Sequence, residues 1–311
     1  MVYKTLRLFL ICYFVFLANT SNVFAQTDGI QSLVENGIIA PDTKLILVDS
    51  HFVFTEGPAV DRYGNIFFTN QPNDRIWEYD TAGTLSIFLS PAGRSNGMYF
   101  DKKGNLISCA DQQNQLWSIS PEKKITVLLK NYHGHLLNGP NDLWVAPSGG
   151  IYITDPYYPR PYWNRKKADT AIGGEKLYYF PAKRKRLTLA DISTVKPNGI
   201  VGSPDGRYLY VADMGLWKTF RYEIAGDGTL KNKKLFVDMG SDGMTIDDKG
   251  NIYLTGNGVM VYDSTGKPLG HLPIPEEWTA NICFGGKNKN SLFITASKSV
   301  YIIPTLVRGV E

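Results

Sequence analysis

Six residues at near-regular intervals carry side chains that could act together: Glu56, Asn96, Asn141, Asn198, Asp242 and Asn281. They lie 40, 45, 57, 44 and 39 residues apart. All bear side-chain oxygen and none is His or Cys. Brought to one point, such a set suits a hard divalent cation, Ca²⁺ ahead of Mg²⁺ or Zn²⁺. Glu56 and Asp242 supply the negative charge, and the Asn residues add neutral carbonyl oxygens. Without a cation, two carboxylates in a narrow space repel each other, and one tends to take up a proton. Asn-Gly and Asp-Gly also favour turns, which accounts for some of these positions but not for Glu56.

The elements that must position these residues form a repeat. Each residue opens a similar segment: EGPAVDRYGNIFFTN, NGMYFDKKGNLISCA, NDLWVAPSGGIYITD, NGIVGSPDGRYLYVAD, DGMTIDDKGNIYLTG and NICFGGKNKNSLFITA. In five of them a Gly follows eight residues on, at Gly64, Gly104, Gly149, Gly206 and Gly250. A short strand leads into a turn where Gly tolerates positive φ, and a second strand follows. Third strands read RIWEYD, QLWSIS, KLYYF, FRYEI and GVMVYD; fourth strands read LSIFL and ITVLL. Four strands in about 40–45 residues make one propeller blade. The expectation is an all-β, six-bladed β-propeller over residues 45–304, with a tail over 305–311. The last repeat has three strands, so Leu45–Asp49 is expected to supply its fourth and cover an exposed edge. Two separate β-sandwiches would leave the common phase of the six openings unexplained. In a propeller those openings converge at one end of the central channel.

The ends and the composition set limits. Residues 1–25 combine Lys4 and Arg7, an apolar run from Leu8 to Leu17, and Val23-Phe24-Ala25 before Gln26. That pattern reads as a cleavable secretory signal, and the run is short for a membrane span. The protein is therefore expected to be secreted or periplasmic, with an N-terminal segment over 26–44 ahead of the propeller. The net charge of +4 does not point to nucleic acid. Lys183-Arg184-Lys185-Arg186 reads as a solvated turn between strands. Cys109 and Cys283 sit in strand-like runs without metal-ligand spacing and read as buried small hydrophobes.

The motifs FTEGPAV, LNGPNDLWV, GGIYITDP, KPNGIVGSPDGRYLYVAD, SDGMTIDDKGNIYLTG and FGG…LFITAS resemble those of the gluconolactonase/regucalcin-like propellers, in order and spacing. The likeness runs from about Leu45 to Pro304. It implies that a Glu, one or two Asn and an Asp bind a catalytic divalent cation, commonly Ca²⁺; here these are Glu56, Asn141, Asn198 and Asp242. It leaves Asn141 as either cation ligand or substrate contact, and Asn96 as a substrate contact. The sequence departs from the family near the pocket, with His135-Leu136 where a basic pair is common and Ala110-Asp111 where a Glu-His pair is common.

The resemblance implies a metal-dependent hydrolase of a small lactone or ester, by default a sugar lactone, with Asp242 or cation-held water delivering the attacking oxygen. The cation would polarise the carbonyl, and neutral ligands would leave it strongly Lewis acidic. Two alternatives remain: a non-catalytic propeller that binds a sugar or partner and keeps the metal as a plug, and phosphotriester hydrolysis at the same site. The third repeat is longer than the others, the excess being PYYPRPYWNRKKADTAIGGE after Asp155. Tyr157, Tyr158, Tyr162 and Trp163 within it are candidates for a substrate-stacking wall on the metal's face, or for packing of the loop on its own blade. His133 and His135 read as a solvated loop or a pocket mouth. Asp142 reads as a partner of the ligand Asn or a turn cap, and Asp155 as a turn or pocket residue.

Overall fold

The computed structural model describes residues 29–163, 173–183 and 186–310. The expected signal segment, part of the insertion and Arg184-Lys185 lie outside the described residues. Among the described residues no helix is long and apolar enough to cross a membrane. The chain forms six four-stranded antiparallel sheets. Their innermost strands are Thr55–Val60, Ser95–Phe100, Leu143–Val145, Pro197–Gly202, Met244–Ile246 and Thr279–Gly285. Each contacts the next, and the last contacts the first. The architecture is a closed six-bladed β-propeller. Its ring is closed by the N-terminal strand Ile46–Asp49, which pairs with Ser299–Pro304 in the register Ile46 to Ile302 and Leu47 to Tyr301. That pairing completes the sixth blade from the opposite end of the chain.

The turn after each innermost strand shows why the sequence repeats. Asp61 accepts from the backbone N of Tyr63 at 2.8 Å and of Asn65 at 2.9 Å, while Asn65 Nδ2 donates to its other oxygen at 2.9 Å. Asp101 with Asn105 and Asp247 with Asn251 repeat the arrangement. The Gly between them takes the positive φ that the reversal requires, +93° at Gly64. Second strands such as Ile66–Asn70 and Leu106–Ala110 are buried along their whole length. Both faces of each blade are covered by neighbours, so apolar residues appear in runs rather than alternating.

The core is therefore a set of layers between blades. Phe67 and Ile76 meet Leu106 and Ile119 between blades one and two. Ile107 and Cys109 meet Leu143, Ile153 and Tyr178 between two and three. Blades six and one share Phe68, Cys283 and Phe293. Cys109 and Cys283 are both buried, and neither is in a disulfide among the described residues. Residues 29–35 are helical, and Leu33, Ile38 and Ile39 seal the layer between blades five and six. Burial of this kind contributes roughly 25 cal/mol per Å² of apolar surface.

One polar latch joins the rims of blades three and four. Asp191, at the end of Thr188–Asp191, accepts from Lys233 Nζ at 2.8 Å, from Tyr222 OH at 2.7 Å and from Ser193 N at 2.7 Å. Burial alone would raise its pKa, but these donors outweigh it and hold the carboxyl down to about 2. The folded value lies below the unfolded one, so the stabilisation is present above about pH 4 and is lost as pH falls towards 2. The group is partly open to solvent, which reduces the gain to about 1 kcal/mol. Asp191→Asn is expected to lower unfolding free energy by that amount near neutral pH, with the difference from wild type vanishing in strong acid. Urea titrations across the acid range check this; a variant as stable as wild type at neutral pH would show the latch to be inert.

Candidate functional site

Glu56, Asn141, Asn198 and Asp242 surround one cavity of about 190 Å³ at the propeller axis. Glu56 and Asn198 are second in their innermost strands, whereas Asn141 and Asp242 lie just ahead of Leu143–Val145 and Met244–Ile246. Asn141 still continues the ladder, its N donating to Thr154 O at 2.9 Å. Four of the six openers are followed by Gly, at Gly57, Gly97, Gly199 and Gly243. A Cβ on Gly57 would lie 2.0 Å from Asn96 O, and one on Gly243 would lie 2.0 Å from the Asn281 carboxamide. These glycines serve close approach at the axis, not chain reversal.

Two aspartates clamp the approach to the site. Asp155 is fully buried and accepts from Asn138 N and Gly139 N, both at 2.9 Å. Asp213 does the same for Val195 N at 2.7 Å and Lys196 N at 2.9 Å. Each ends a second strand and fixes the two amides that precede Asn141 or Asn198 in the same blade. Asp155 therefore positions backbone and contributes no atom to the cavity lining. Asp142 caps its own strand, accepting from Leu143 N at 2.9 Å, and its charge is felt by Glu56.

The axis is electrostatically demanding. Glu56 is buried, and desolvation, then the charges of Asp242 and Asp142, push its pKa well above the ordinary carboxylate range. Gly57 N at 2.7 Å and Asn281 Nδ2 at 3.2 Å donate to its Oε2 and oppose the shift. Asp242 keeps some surface open to the cavity, yet burial raises its pKa too. Trp278 Nε1 donates to Asp242 Oδ2 at 2.5 Å, Asn198 Nδ2 donates to Oδ1 at 2.8 Å, and the charge of Arg160 also favours the anion.

The donor set fits a hard cation. Glu56 and Asp242 both face the cavity, and Asn198 Oδ1 is buried with no hydrogen-bond partner while its Nδ2 is fully engaged. A cation accepting that orphaned oxygen and offsetting the paired carboxylates would relieve both penalties. Among the described residues there is no cluster of three or more His, Cys, Asp or Glu, so carboxamide oxygens would have to complete the coordination.

The other openers have different roles. Asn281 donates to Glu56 and accepts from Ile282 N at 2.8 Å, so it orients a carboxylate. Asn96 is buried with its Oδ1 unpartnered and is outside the cavity lining. The aromatic insertion does not present one wall. Tyr158 lines the cavity and its hydroxyl accepts from Asn198 Nδ2 at 3.2 Å. Tyr157 and Trp163 pack edge to face at 5.3 Å, and Tyr162 OH donates to Asp111 at 3.2 Å. His133 and His135 are exposed on a tight turn closed by Tyr132. Sequence reasoning missed Trp278 and Arg160, both in the lining. Trp278 falls in a connection with no counterpart in other blades; its only signal was a tryptophan three residues before an opener.

The chain is similar to proteins already known. Residues 54–298 match the family described as the SMP-30/Gluconolactonase/LRE-like region. The gluconolactonase of Zymomonas mobilis is 28% identical over 304 residues, covering 88% of this chain and 85% of that protein. A pentonolactonase of Haloferax volcanii is 29% identical over 166 residues, 50% of this chain and 53% of that one. The solved gluconolactonase of Xanthomonas campestris superposes with a TM-score of 0.79 at 26% identity, over 88% of this chain and 92% of that chain. The match spans most of the chain and every axial residue described above from Glu56 to Asn281, and the protein accordingly belongs to the SMP-30/gluconolactonase/LRE-like family.

Proposed function

We propose that this protein is a divalent-cation-dependent lactonase that opens a small sugar lactone, with Ca²⁺ the favoured cation. One observation carries the reading: a buried carboxylate, a partly buried one and two carboxamides share a single small cavity with an orphaned carbonyl oxygen. Relatives named gluconolactonase and pentonolactonase support the substrate class. Glu56, Asn198, Asp242 and Asn141 would hold the cation, which when bound supplies Lewis acidity towards an ester carbonyl.

The chain's own residues do the rest. Trp278 and Asn198 each fix one oxygen of Asp242, so its carboxylate is held in one orientation. From there Asp242 accepts a proton from the attacking water as the new carbon–oxygen bond forms. The ring carbon–oxygen bond then breaks, and the same proton passes to the departing ring oxygen, giving the open hydroxy acid. Tyr158 provides an aromatic face beside the ring. Asn281 keeps Glu56 from rotating out of the site.

Hydrolysis of glucono-δ-lactone is expected to vanish after chelation and dialysis and to return with added Ca²⁺. Full activity in the stripped protein would refute cation dependence. Glu56→Gln and Asp242→Asn each remove a charge from the site, and isothermal calorimetry should show loss of tight Ca²⁺ binding in both; wild-type affinity would reject the assignment. Trp278→Phe keeps an aromatic ring, though a smaller one, and loses the bond to Asp242 Oδ2. Partners of this kind are worth about 10–100-fold in metal affinity or activity, and a drop in that range is expected. An unchanged binding isotherm and kcat would mean that Trp278 only fills space.

A further inference from the structure

Two cations stand by the cavity that opening a neutral lactone does not require: Arg160 lines it, and Lys196 lies outside the lining, against Tyr158. Both lie against the ring of Tyr158: the Arg160 guanidinium at 5.6 Å from its centroid and Lys196 Nζ at 4.5 Å. They come from separate elements. Arg160 is delivered by the insertion of blade three, and Lys196 immediately precedes the innermost strand of blade four, its backbone clamped by Asp213. Nothing in the local sequence forces the two together; the fold does.

Neither cation is matched by a close carboxylate among the described residues. Among the described residues no carboxylate stands within salt-bridge distance of Lys196 Nζ. Arg160 Nε is buried without a hydrogen-bond partner. Among the described residues the carboxylate within salt-bridge distance, Asp111 Oδ2, is 3.8 Å away and already accepts from Tyr162 OH at 3.2 Å and Gln71 Nε2 at 3.3 Å. Holding a guanidinium in a partly buried site without directional bonds is costly unless something else completes it. Asp111 faces Arg160 at long range, and Glu175, whose charge also reaches Tyr158, is not within salt-bridge distance of Lys196. Both cations therefore keep donor capacity for a further anion. Hydroxyl groups of a neutral sugar need no such cations, whereas an oxyanion gains from charge-assisted bonds and from the planar fork of an Arg.

Resting on the lactonase reading, we propose that the preferred substrate is a sugar lactone bearing an anionic substituent outside the ring, a carboxylate, phosphate or sulfonate, seated against Arg160 and Lys196 while the ring ester faces Asp242.

The test compares glucono-δ-lactone with its 6-phosphate and with a glucaric acid monolactone, on Ca²⁺-loaded protein. Wild type should favour at least one charged lactone by about tenfold or more in kcat/KM, expressed mainly in KM. Arg160→Met and Lys196→Met should each cut the charged-to-neutral ratio about tenfold, and Arg160→Lys should restore part of it. Whether the phosphate or the carboxylate gains more identifies the oxyanion. Equal or lower efficiency on both charged lactones, or variants that keep the wild-type ratio, would overturn the proposal. Calorimetry with 6-phosphogluconate against gluconate reads the anion site without any hydrolysis. If no lactone is turned over but the phosphate binds more tightly and loses that advantage in Lys196→Met, the lactonase reading fails and the anion site stands. Equal binding of both acids overturns the anion site.

Discussion

Two carboxylates held out of water at one point are the constraint from which the rest of this structure follows. Glu56 and Asp242 come from blades one and five, and each is raised in pKa by burial, with their mutual repulsion weighing on Glu56. The fold answers with donors placed one by one: Gly57 N and Asn281 for Glu56, Trp278 and Asn198 for Asp242. These reduce the penalty without cancelling it, since both shifts remain upward. A site left this way is poised for a positive partner. The same donors also take the rotational freedom out of each carboxylate, so electrostatic need and geometric precision have one source.

A propeller is well suited to that task because its axis is assembled from six independent strands, each anchored far from the site. Closure by Ile46–Asp49 fixes the ring circumference. The layers between blades fix the spacing of neighbouring strands. Close contact at the axis is then set by residues without side chains, such as Gly57 and Gly243, which pack directly on the next blade's opener. Asp155 and Asp213 tie the chain just before Asn141 and Asn198 to the ends of the second strands. A side chain on such a scaffold moves only if a blade moves.

Much of this was legible in the sequence, because repetition amplifies weak signals. One Asp-x-x-Gly-Asn turn means little, but its recurrence in phase with an Asn, Asp or Glu eight residues before the Gly defines blades, axis and the end of the channel. The closing strand was legible from a missing fourth strand. What escaped was whatever does not repeat. Trp278 sits in a connection unique to its blade, and Arg160 in the insertion. Asn281 had the right phase but the opposite role, since the direction of a carboxamide is decided by its neighbours and not by its position. The four insertion aromatics looked equivalent as a string. In three dimensions Tyr158 turns to the cavity, Tyr157 and Trp163 pair, and Tyr162 bonds Asp111. Irregular backbone has no period from which such directions can be read.

Those non-repeating parts are also where specificity would have to arise. The repeated openers are shared by construction with any propeller of this plan, so they can define a reaction but not easily a substrate. Here the departure from the family pattern at Ala110-Asp111 is linked to the insertion, because Asp111 receives Tyr162 and faces Arg160. A buried Asp without a cation beside it would be penalised by desolvation, and an Arg in the lining without an acid behind it would repel a bound metal ion. Each residue makes the other tolerable. The pair thereby places a positive group in the cavity lining, close enough for its charge to favour the Asp242 anion, and it is carried there by the insertion of blade three.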